Sequence, residues 1–316
     1  MTEATDAVAG FAAIPTPPPN FRSGFVGIVG RPNVGKSTLM NYLIGQKVAI
    51  TSPIAQTTRN RLRGILTNDE AQIIFVDTPG IHKPHHELGK VLVHNARTAI
   101  ASVDLVLFVV DGSVSAGRGD QFIADLLARQ QTPVFLGMNK IDLRSPDTAA
   151  DITVSYQAMA AEHQWPVCEF SAATGDHLSE LQAQLIQGME VGPYYYPPNL
   201  ITDQPERFIM GELIREQILY HTREEVPHSV AIAIDRVEED TTITRILATI
   251  HVERDSQKGI LIGKRGSMLK TIGTAAREQM QKLITGKVYL ELFVKVEPKW
   301  RQSRMRLAEL GYEREE

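Results

Sequence analysis

Short apolar runs alternate with longer amphipathic segments through the first half of the chain. The runs are four to six residues long and rich in β-branched side chains, which is typical of strands buried on both faces. Residues 37–44, just after the first run, place their apolar side chains at helical spacing. This alternation predicts an α/β fold with a mainly parallel sheet covered by helices. The predicted strands are residues 25–29, 73–76, 105–110 and 134–138.

The second half of the chain begins after a proline-rich stretch, residues 193–205, that indicates a semi-rigid connector. Three consecutive tyrosines in it fit packing at a domain joint better than a platform for stacked bases. Beyond it, a helix at 206–222, two strands at 229–236 and 243–253, a helix after Gly266 and a strand at 288–296 predict a smaller α+β domain.

The predicted organisation is therefore a disordered, proline-rich tail, two folded domains with a linker between them, and a second short tail. We place the first tail at 1–22, the first domain at 23–192, the linker at 193–205, the second domain at 206–306 and the C-terminal tail at 307–316.

Composition adds a segregation of charge. The 316 residues are 43% hydrophobic and 22% charged, and the single cysteine, Cys168, excludes an internal disulfide framework. The longest apolar stretch is too short for a membrane span, so we expect a cytoplasmic protein. The net charge of −4 conceals a basic block: residues 254–306 hold 13 Lys and Arg against 4 Asp and Glu, leaving 20 against 33 elsewhere. Such a block indicates a local polyanion site, although a solvated helix face explains the charge alone equally well.

A glycine-rich loop joins the first predicted strand to the helix that follows it. It fits the pattern G-x-x-x-x-G-K-[ST], whose backbone N–H groups surround a phosphate at a helix N-terminus. Lys36 is the candidate for bridging the β- and γ-phosphate oxygens, and the Ser37 hydroxyl is a candidate ligand of Mg²⁺. The loop predicts a nucleoside triphosphate site. Its residues are Gly30, Arg31, Pro32, Asn33, Val34, Gly35, Lys36, Ser37 and Thr38.

The segment Asp77, Thr78, Pro79 and Gly80 follows the end of the second predicted strand. It fits the element that contacts the γ-phosphate. Asp77 is expected to order a magnesium-bound water, and the Gly80 N–H to contact the terminal phosphoryl group. Because ligands of open α/β sheets bind beyond the carboxyl ends of the strands, this placement agrees with that of the phosphate loop.

A polar segment, residues 56–59, lies where a switch loop is expected. A threonine there could complete the magnesium shell only while the γ-phosphate is present. We choose Thr58, with Thr57 as the alternative.

The tetrapeptide that follows the fourth predicted strand indicates the base. A carboxylate at Asp142 can accept from both N1–H and the exocyclic amine of guanine, whereas adenine offers neither donor on that edge. Such sites reject the wrong ligand by about 10⁴- to 10⁵-fold. Asn139 would brace the loop and reach the base, and the Lys140 stem would cover the ring face. The tetrapeptide is Asn139, Lys140, Ile141 and Asp142, and Ser171 and Ala172 are similar to the last guanine-contacting loop.

A second glycine motif, Gly263, Lys264, Arg265 and Gly266, lies inside the basic block and before an amphipathic helix. In this context G-x-x-G is typical of a KH domain, whose loop clamps the backbone of about four nucleotides. The glycines let the phosphodiester approach closely, and the two cations supply charge. The order helix, strand, strand, helix, strand resembles the type II arrangement.

Together these motifs resemble the small-GTPase superfamily and, more narrowly, the Era family of ribosome-assembly GTPases, in the TrmE-Era-EngA branch. The resemblance covers nearly all of residues 25–312. It implies a P-loop GTPase domain followed by a type II KH domain, with GTP or GDP and Mg²⁺ as ligands. It also implies slow GTP hydrolysis, in which Lys36, Thr58, Gly80 and Asn33 take part.

Two positions carry finer implications of the resemblance. Ile81 stands where many GTPases place a glutamine that orients the attacking water, as in Era and its relatives, so catalysis must depend on electrostatic positioning. Asn33 corresponds to an asparagine that helps to hold K⁺ in related GTPases; alternatively, it only shapes the loop.

The resemblance implies a monomer that binds 16S rRNA near its 3′ end and assists assembly of the 30S ribosomal subunit, with peripheral association with the inner face of the cell membrane left open. The alternatives are an RNA-binding GTPase that acts on another RNA, a metabolic NTPase or nucleotide kinase, and a constitutive RNA-binding protein whose GTPase fold is only a scaffold.

Overall fold

The computed structural model describes residues 14–52, 62–80 and 87–312. Six strands of the first half form one sheet in the order β2-β3-β1-β4-β5-β6, in which β2 is antiparallel to β3 and the other pairs are parallel. The strands are β1 (Arg22–Val29), β2 (Leu62–Thr67), β3 (Ala71–Asp77), β4 (Leu105–Asp111), β5 (Val134–Asn139) and β6 (Val167–Glu169).

Helices cover both faces of this sheet because its central strands are apolar on both sides. Side chains of α1 and α5 pack on one face, and side chains of α2, α3 and α4 pack on the other. The predicted α/β architecture is confirmed. The helices are α1 (Lys36–Ile44), α2 (Glu87–Ala101), α3 (Arg118–Leu127), α4 (Ala149–Glu162) and α5 (Leu178–Gln187).

The second half contains a three-stranded sheet in the order β7-β8-β9, with β7 antiparallel and β9 parallel to the central strand β8. One face of this sheet packs on its helices, since alternate residues of each strand join a single apolar cluster. The elements are α6 (Glu206–His221), β7 (Ala231–Glu239), β8 (Ile243–Val252), α7 (Asp255–Ile262), α8 (Ser267–Met280), β9 (Lys287–Val296) and α9 (Arg304–Glu309).

Helix α7 is an element that the sequence pattern did not reveal. It has only eight residues, and the apolar run at its end resembles a strand. The observed order is therefore helix, strand, strand, helix, helix, strand, and the G-x-x-G loop joins two helices.

The chain after β9 packs back on the protein. Trp300 is fully buried and donates a hydrogen bond from Nε1 to the Ser229 carbonyl at 3.0 Å, so this ring is part of the packed core. Leu307 and Tyr312, in the segment predicted as a tail, join the same buried cluster, and the Tyr312 ring stacks on Trp300.

Contacts join the two halves at more than one place in the described part of the chain. Leu88 and Val91 of α2 lie in one apolar cluster with Trp300 and Tyr312. Elsewhere, Glu216 of α6 accepts hydrogen bonds from Thr51 and Lys47. The linker tyrosines also pack: Tyr194 lies against Phe21 and Tyr195 against Phe25, with ring centroids 4.4 and 5.1 Å apart. Within the described ranges, no helix is both long and apolar enough to span a membrane.

Candidate nucleotide site and nucleic-acid interface

The phosphate loop joins the end of β1 to the start of α1, and two of its glycines are required by space. A Cβ on Gly30 would lie 2.2 Å from the Val109 carbonyl oxygen, and one on Gly35 would lie 2.2 Å from Nδ2 of Asn139. Gly35 also has φ of 99°, a conformation that side chains disfavour. The loop is therefore packed against the ends of β4 and β5, and its backbone N–H groups can face a ligand.

Lys36 lies buried at the centre of this loop. Its ammonium donates to the carbonyl oxygens of Gly30 and Arg31 at 3.3 and 3.0 Å. Burial lowers the pKa of Lys36, and the Asp77 carboxylate partly offsets that effect. The side chain is thus positioned by the loop itself, and a phosphate group could take the place of the carbonyl oxygens.

Ser37 and Asp77 meet beside Lys36. The Ser37 hydroxyl lies 2.6 Å from Oδ2 of Asp77, which is fully buried at the end of β3. Thr78 anchors the following turn by donating to the Ile28 carbonyl at 2.9 Å. The turn then reaches Gly80, where a Cβ would lie 2.8 Å from the backbone nitrogen of Pro32. The predicted γ-phosphate segment therefore packs directly on the phosphate loop.

Asn139 connects three of the predicted motifs. Its Nδ2 donates to the Val34 carbonyl at 2.8 Å, and its Oδ1 accepts from the backbone N–H groups of Lys140 and Ala172 at 2.8 and 2.9 Å. The side chain is 2% exposed, so these bonds are shielded from water. Asn139 therefore fixes three loops relative to one another: the phosphate loop, the loop at Asn139–Asp142, which we call the base-reading loop after its predicted role, and the Ser171–Ala172 loop.

The Lys140 side chain is held by an acid that the sequence analysis did not identify. Its ammonium lies 2.7 Å from Oδ2 of Asp111, the last residue of β4, and Asp111 also accepts from the Ser113 hydroxyl at 2.6 Å. Burial raises the pKa of the Asp111 carboxyl, but the hydrogen bonds from Lys140 and Ser113 outweigh it and hold the pKa below its ordinary value. The position at a strand's end, shared with Asp77 and Asn139, was the signal that could have identified it.

Arg144 is a second residue of the site that sequence reasoning missed. Its Nε donates to the Gly112 carbonyl at 2.7 Å, and its guanidinium also pairs with Glu169 at 2.7 Å. Thr153 donates to the other Glu169 oxygen at 3.1 Å. Arg144, which itself follows the base-reading loop, therefore connects that loop to the loop after β4 and to the end of β6.

The remaining predicted residues are placed as follows. Asp142 is exposed in a short 3-10 turn, Ile141–Leu143, at the rim of the site. Ser171 is buried, and its hydroxyl accepts from the backbone of Ala173 and Thr174, which shapes the last loop. Arg31 pairs with the buried Asp120 of α3 at 2.8 Å. Thr58, its alternative Thr57 and Ile81 lie outside the described residues.

The second candidate site is the loop between α7 and α8. Gly263, Arg265 and Gly266 have φ of 70°, 55° and 79°, and a Cβ on Gly263 would lie 2.7 Å from that of Met268. The side chains of Lys264 and Arg265 are exposed. This tight turn presents two cations on a backbone that a phosphodiester can approach closely.

The fold and the two sites define a P-loop GTPase with a C-terminal KH domain. A family model described as a 50S ribosome-binding GTPase matches residues 25–140, and a KH-domain model matches residues 225–301. A protein named GTPase Era from Nostoc sp. is 72% identical over 310 residues, covering 98% of this chain and 95% of the relative. GTPase Era from Crocosphaera subtropica is 64% identical over the full length of both chains.

Solved structures of Era are also similar to this chain. The chain is similar to Era crystallised with MgGDPNP and nucleotides 1506–1542 of 16S ribosomal RNA, with 37% identity, a TM-score of 0.89 and coverage of 92% of this chain and 99% of that one. A variant of Era from Aquifex aeolicus bound to GDP and AlF4⁻ matches with a TM-score of 0.88, 37% identity and the same coverage of the two chains. The chain belongs to the Era family of GTPases, and it binds and hydrolyses GTP.

Proposed function

We propose that this protein is a GTP-dependent switch that binds 16S rRNA near its 3′ end and assists assembly of the small ribosomal subunit. The observation that carries the proposal is the match, over nearly the whole of both chains, to an Era structure that holds a GTP analogue and nucleotides 1506–1542 of that RNA. Two features of this chain support the proposal: the glycine-rich loop that leads into α1, and the Gly263–Gly266 loop, whose backbone makes a tight turn before α8.

At the nucleotide site, the backbone of residues 33–38 would surround the β-phosphate, with Lys36 bridging the β- and γ-phosphates. Asp142 would read guanine, while Asn139 and Lys140 support the base. Ser171 and Ala172 would close the guanine pocket on the remaining side.

Mg²⁺ fits the oxygen donors of this site. The Ser37 hydroxyl would bind it directly, Asp77 would hold it through a water, and Thr58 would complete the shell. Across the described ranges, no group of three or more His, Cys, Asp or Glu could hold a metal by itself, which suits an ion whose shell phosphate and water complete. When bound, Mg²⁺ would neutralise charge on the phosphates.

For hydrolysis, Ile81 offers no side-chain hydrogen bond to a water. Lys36 and the Gly80 N–H would then stabilise the transferred phosphoryl group by their positions. We also propose that Asn33, which has a left-handed backbone conformation at the exposed rim of the loop, supports K⁺ there.

The RNA would be held by the loop at Gly263, Lys264, Arg265 and Gly266. A change of nucleotide would alter the conformation of this RNA-binding half through the contacts that join the two domains. Those contacts start beside the nucleotide: Thr51 lines the phosphate cavity, and α2 begins seven residues after Gly80. Nucleotide-dependent RNA affinity needs different contacts in the two states.

The test is to titrate a labelled oligoribonucleotide with the sequence of 16S rRNA nucleotides 1506–1542 against protein loaded with GDP or with a nonhydrolysable GTP analogue. We expect the affinities to differ by about 5- to 150-fold, a usual range for coupled sites. Identical curves would refute the switch, and binding no tighter than that of an unrelated RNA would refute the choice of target. A Lys36→Ala variant should still bind RNA but lose its response to nucleotide.

A further inference from the structure

Strand β9 presents a regular set of side chains on the face of its sheet that points away from α6 and α8. Its even-numbered residues from Val288 to Val296 belong to the apolar core of the domain. Its odd-numbered residues alternate to the opposite face. They are Lys287, Tyr289, Glu291, Phe293 and Lys295, which we call the β9 stripe, and all five are exposed.

The two aromatic rings of the stripe are unusually open. Tyr289 is 52% exposed and Phe293 is 51% exposed. Neither ring stacks on another aromatic ring in the part of the chain that the structure describes. By contrast, the other end of the same sheet face is covered, since Ala231 is fully buried with Val91 of α2 and with Trp300. The domain contact therefore stops short of the stripe.

The order of the stripe is cation, aromatic, carboxylate, aromatic, cation. Neighbouring side chains on one face of a strand are about 6.6 Å apart, so the two rings are separated by about 13 Å with Glu291 between them. Arg245 of β8 is paired directly opposite Tyr289 and is also exposed. The Lys295 ammonium lies 3.4 Å from Glu297, but the lysine side chain is 62% exposed, so the pair leaves it accessible.

These groups match the parts of a single-stranded nucleic acid. Exposed aromatic faces stack bases, and flanking cations attract the backbone phosphates. The Glu291 carboxylate would repel a phosphate at the centre of the stripe, but it can accept hydrogen bonds from the amino groups of cytosine or guanine. Three cations, Lys287, Lys295 and Arg245, stand against two acids, Glu291 and Glu297, on and beside β9. The two exposed rings between these cations favour a single-stranded nucleic acid over an acidic protein surface.

The stripe also adjoins the RNA loop. Helices α7 and α8, which the Gly263–Gly266 loop joins, both pack on β9, and β9 is an edge strand. A strand of RNA that leaves the loop therefore has only the free edge of β9 to cross before it meets the stripe.

We propose that the β9 stripe is a second subsite for single-stranded RNA, in which Tyr289 and Phe293 each stack a base and Glu291 binds a cytosine or guanine between them. This proposal rests on the proposed RNA-binding function, because it extends the RNA path beyond the Gly263–Gly266 loop.

The test compares oligoribonucleotides of increasing length, taken from nucleotides 1506–1542 of 16S rRNA, on a Tyr289→Ala/Phe293→Ala variant of the full chain. The wild-type protein should gain affinity as the oligonucleotide grows from about four nucleotides, which fill the loop, to about ten. The variant should bind the short oligonucleotide normally and bind the long one at least about tenfold more weakly. Both side chains are half exposed, so the variant should fold, which circular dichroism would check.

Two further variants make the outcome specific. Phe122→Ala, which removes an aromatic side chain of 48% exposure from the first domain, should bind every oligonucleotide like the wild type. Phe293→Trp should show fluorescence quenching with the long oligonucleotide but not with the short one, because only the long one would stack on it.

The proposal is overturned if the double variant binds long oligonucleotides like the wild type. If that variant also loses association with ribosomal subunits, the stripe binds a protein and not RNA. A Lys264→Ala/Arg265→Ala variant distinguishes this failure from failure of the proposed function. It should lose affinity at every length. If the wild type binds none of the oligonucleotides, the RNA-binding function itself fails, and this inference fails with it.

Discussion

The carboxylate of Glu216 accepts a hydrogen bond from the backbone N–H of Thr51 at 2.9 Å. Glu216 lies on α6, the helix that precedes β7 of the second half, and Thr51 lines the cavity at the phosphate loop. Glu216 is 1% exposed and also pairs with Lys47 at 2.5 Å. A buried carboxylate with partners in the other domain therefore links the wall of the nucleotide site to the RNA-binding half.

We expect Glu216→Ala to reduce the difference in RNA affinity between the GDP and GTP-analogue states. The alanine removes both hydrogen bonds across the domain contact. Glu216→Gln should have a smaller effect, because its amide oxygen can still accept from Thr51 while the charge that attracts Lys47 is lost. Titration of labelled RNA in the two nucleotide states measures the difference.

Glu212→Gln is the matched control, because Glu212 pairs with Arg215 on the same helix at 2.6 Å. It should lower the stability of the KH domain and leave the nucleotide dependence intact. If Glu216→Ala keeps the full nucleotide dependence, the link through Thr51 does not carry the coupling.

Asp142→Asn should change the base that the protein binds. The exposed carboxylate would accept two hydrogen bonds from guanine under the proposed function, whereas an asparagine amide can donate to the 2-oxo group of xanthine. We expect GDP affinity to fall by at least about 100-fold and XDP affinity to rise, since unpaired polar groups in such sites are costly. Calorimetry with GDP, XDP and ADP checks this. Unchanged preference for GDP would assign base recognition to other residues.

Arg144 and Glu169 should act as a unit on nucleotide release. Arg144→Met keeps the aliphatic bulk but frees the loop carbonyl of Gly112 and the Glu169 carboxylate. We expect GDP to dissociate about tenfold faster, because the base-reading loop loses its brace. Stopped-flow release of a fluorescent GDP analogue measures the rate.

A double-mutant cycle with Glu169→Gln gives the coupling directly. The double variant should be little worse than either single variant, since each removes the same pair. Arg129→Met, an exposed arginine of the same domain, should release GDP at the wild-type rate. Additive effects of the two site variants would show that the residues act separately.

The parts of this site that the sequence predicted are those fixed by local geometry. The phosphate loop follows β1, and Asp77 and Asn139 are the last residues of β3 and β5, so alternation of apolar runs was enough to place them at one edge of the sheet. Asp111 also lies at the end of a strand and could have been predicted in the same way. Arg144 could not have been predicted, because its role depends on the Glu169 carboxylate, which is 25 residues away on a strand of three residues.

Longer-range relationships could not be read from the chain at all. Glu216 and Thr51 are separated by 165 residues, and nothing in either segment indicates the other. The same holds for Trp300, whose partner Ser229 is 71 residues away. Helix α7 was not predicted for a local reason: it is too short for its apolar pattern to differ from that of a strand.

Potassium should stimulate hydrolysis if Asn33 supports a cation at the phosphate loop. We expect turnover of GTP to be faster in K⁺ than in Na⁺ buffers of equal ionic strength, and Asn33→Ala to remove the difference while it retains GDP binding. Phosphate release at saturating GTP measures turnover. Equal rates in K⁺ and Na⁺ for the wild type would show that Asn33 serves only to shape the loop.

Cys168 provides a test of packing around β6 through its pH dependence. Burial, followed by the charge of Glu169, raises the pKa of its thiol to about 12, and the sulfur lies 3.6 Å from the Leu136 carbonyl oxygen. In the unfolded chain the thiol would ionise near its ordinary value of about 8.5. Between these two values the unfolded state binds fewer protons than the folded state, so stability is fully present below about pH 8.5 and falls as the pH rises.

We therefore expect a thiol reagent at pH 8 to leave the folded protein unmodified and to modify it at once in urea, because the thiolate is the reactive form. Cys168→Ala should flatten the loss of stability between pH 8.5 and 10 relative to the wild type, as measured by urea denaturation. Rapid modification of the folded protein would mean that the end of β6 opens readily. Since Glu169 at that end supports Arg144, such opening should also accelerate GDP release, and the two rates should then rise together with temperature.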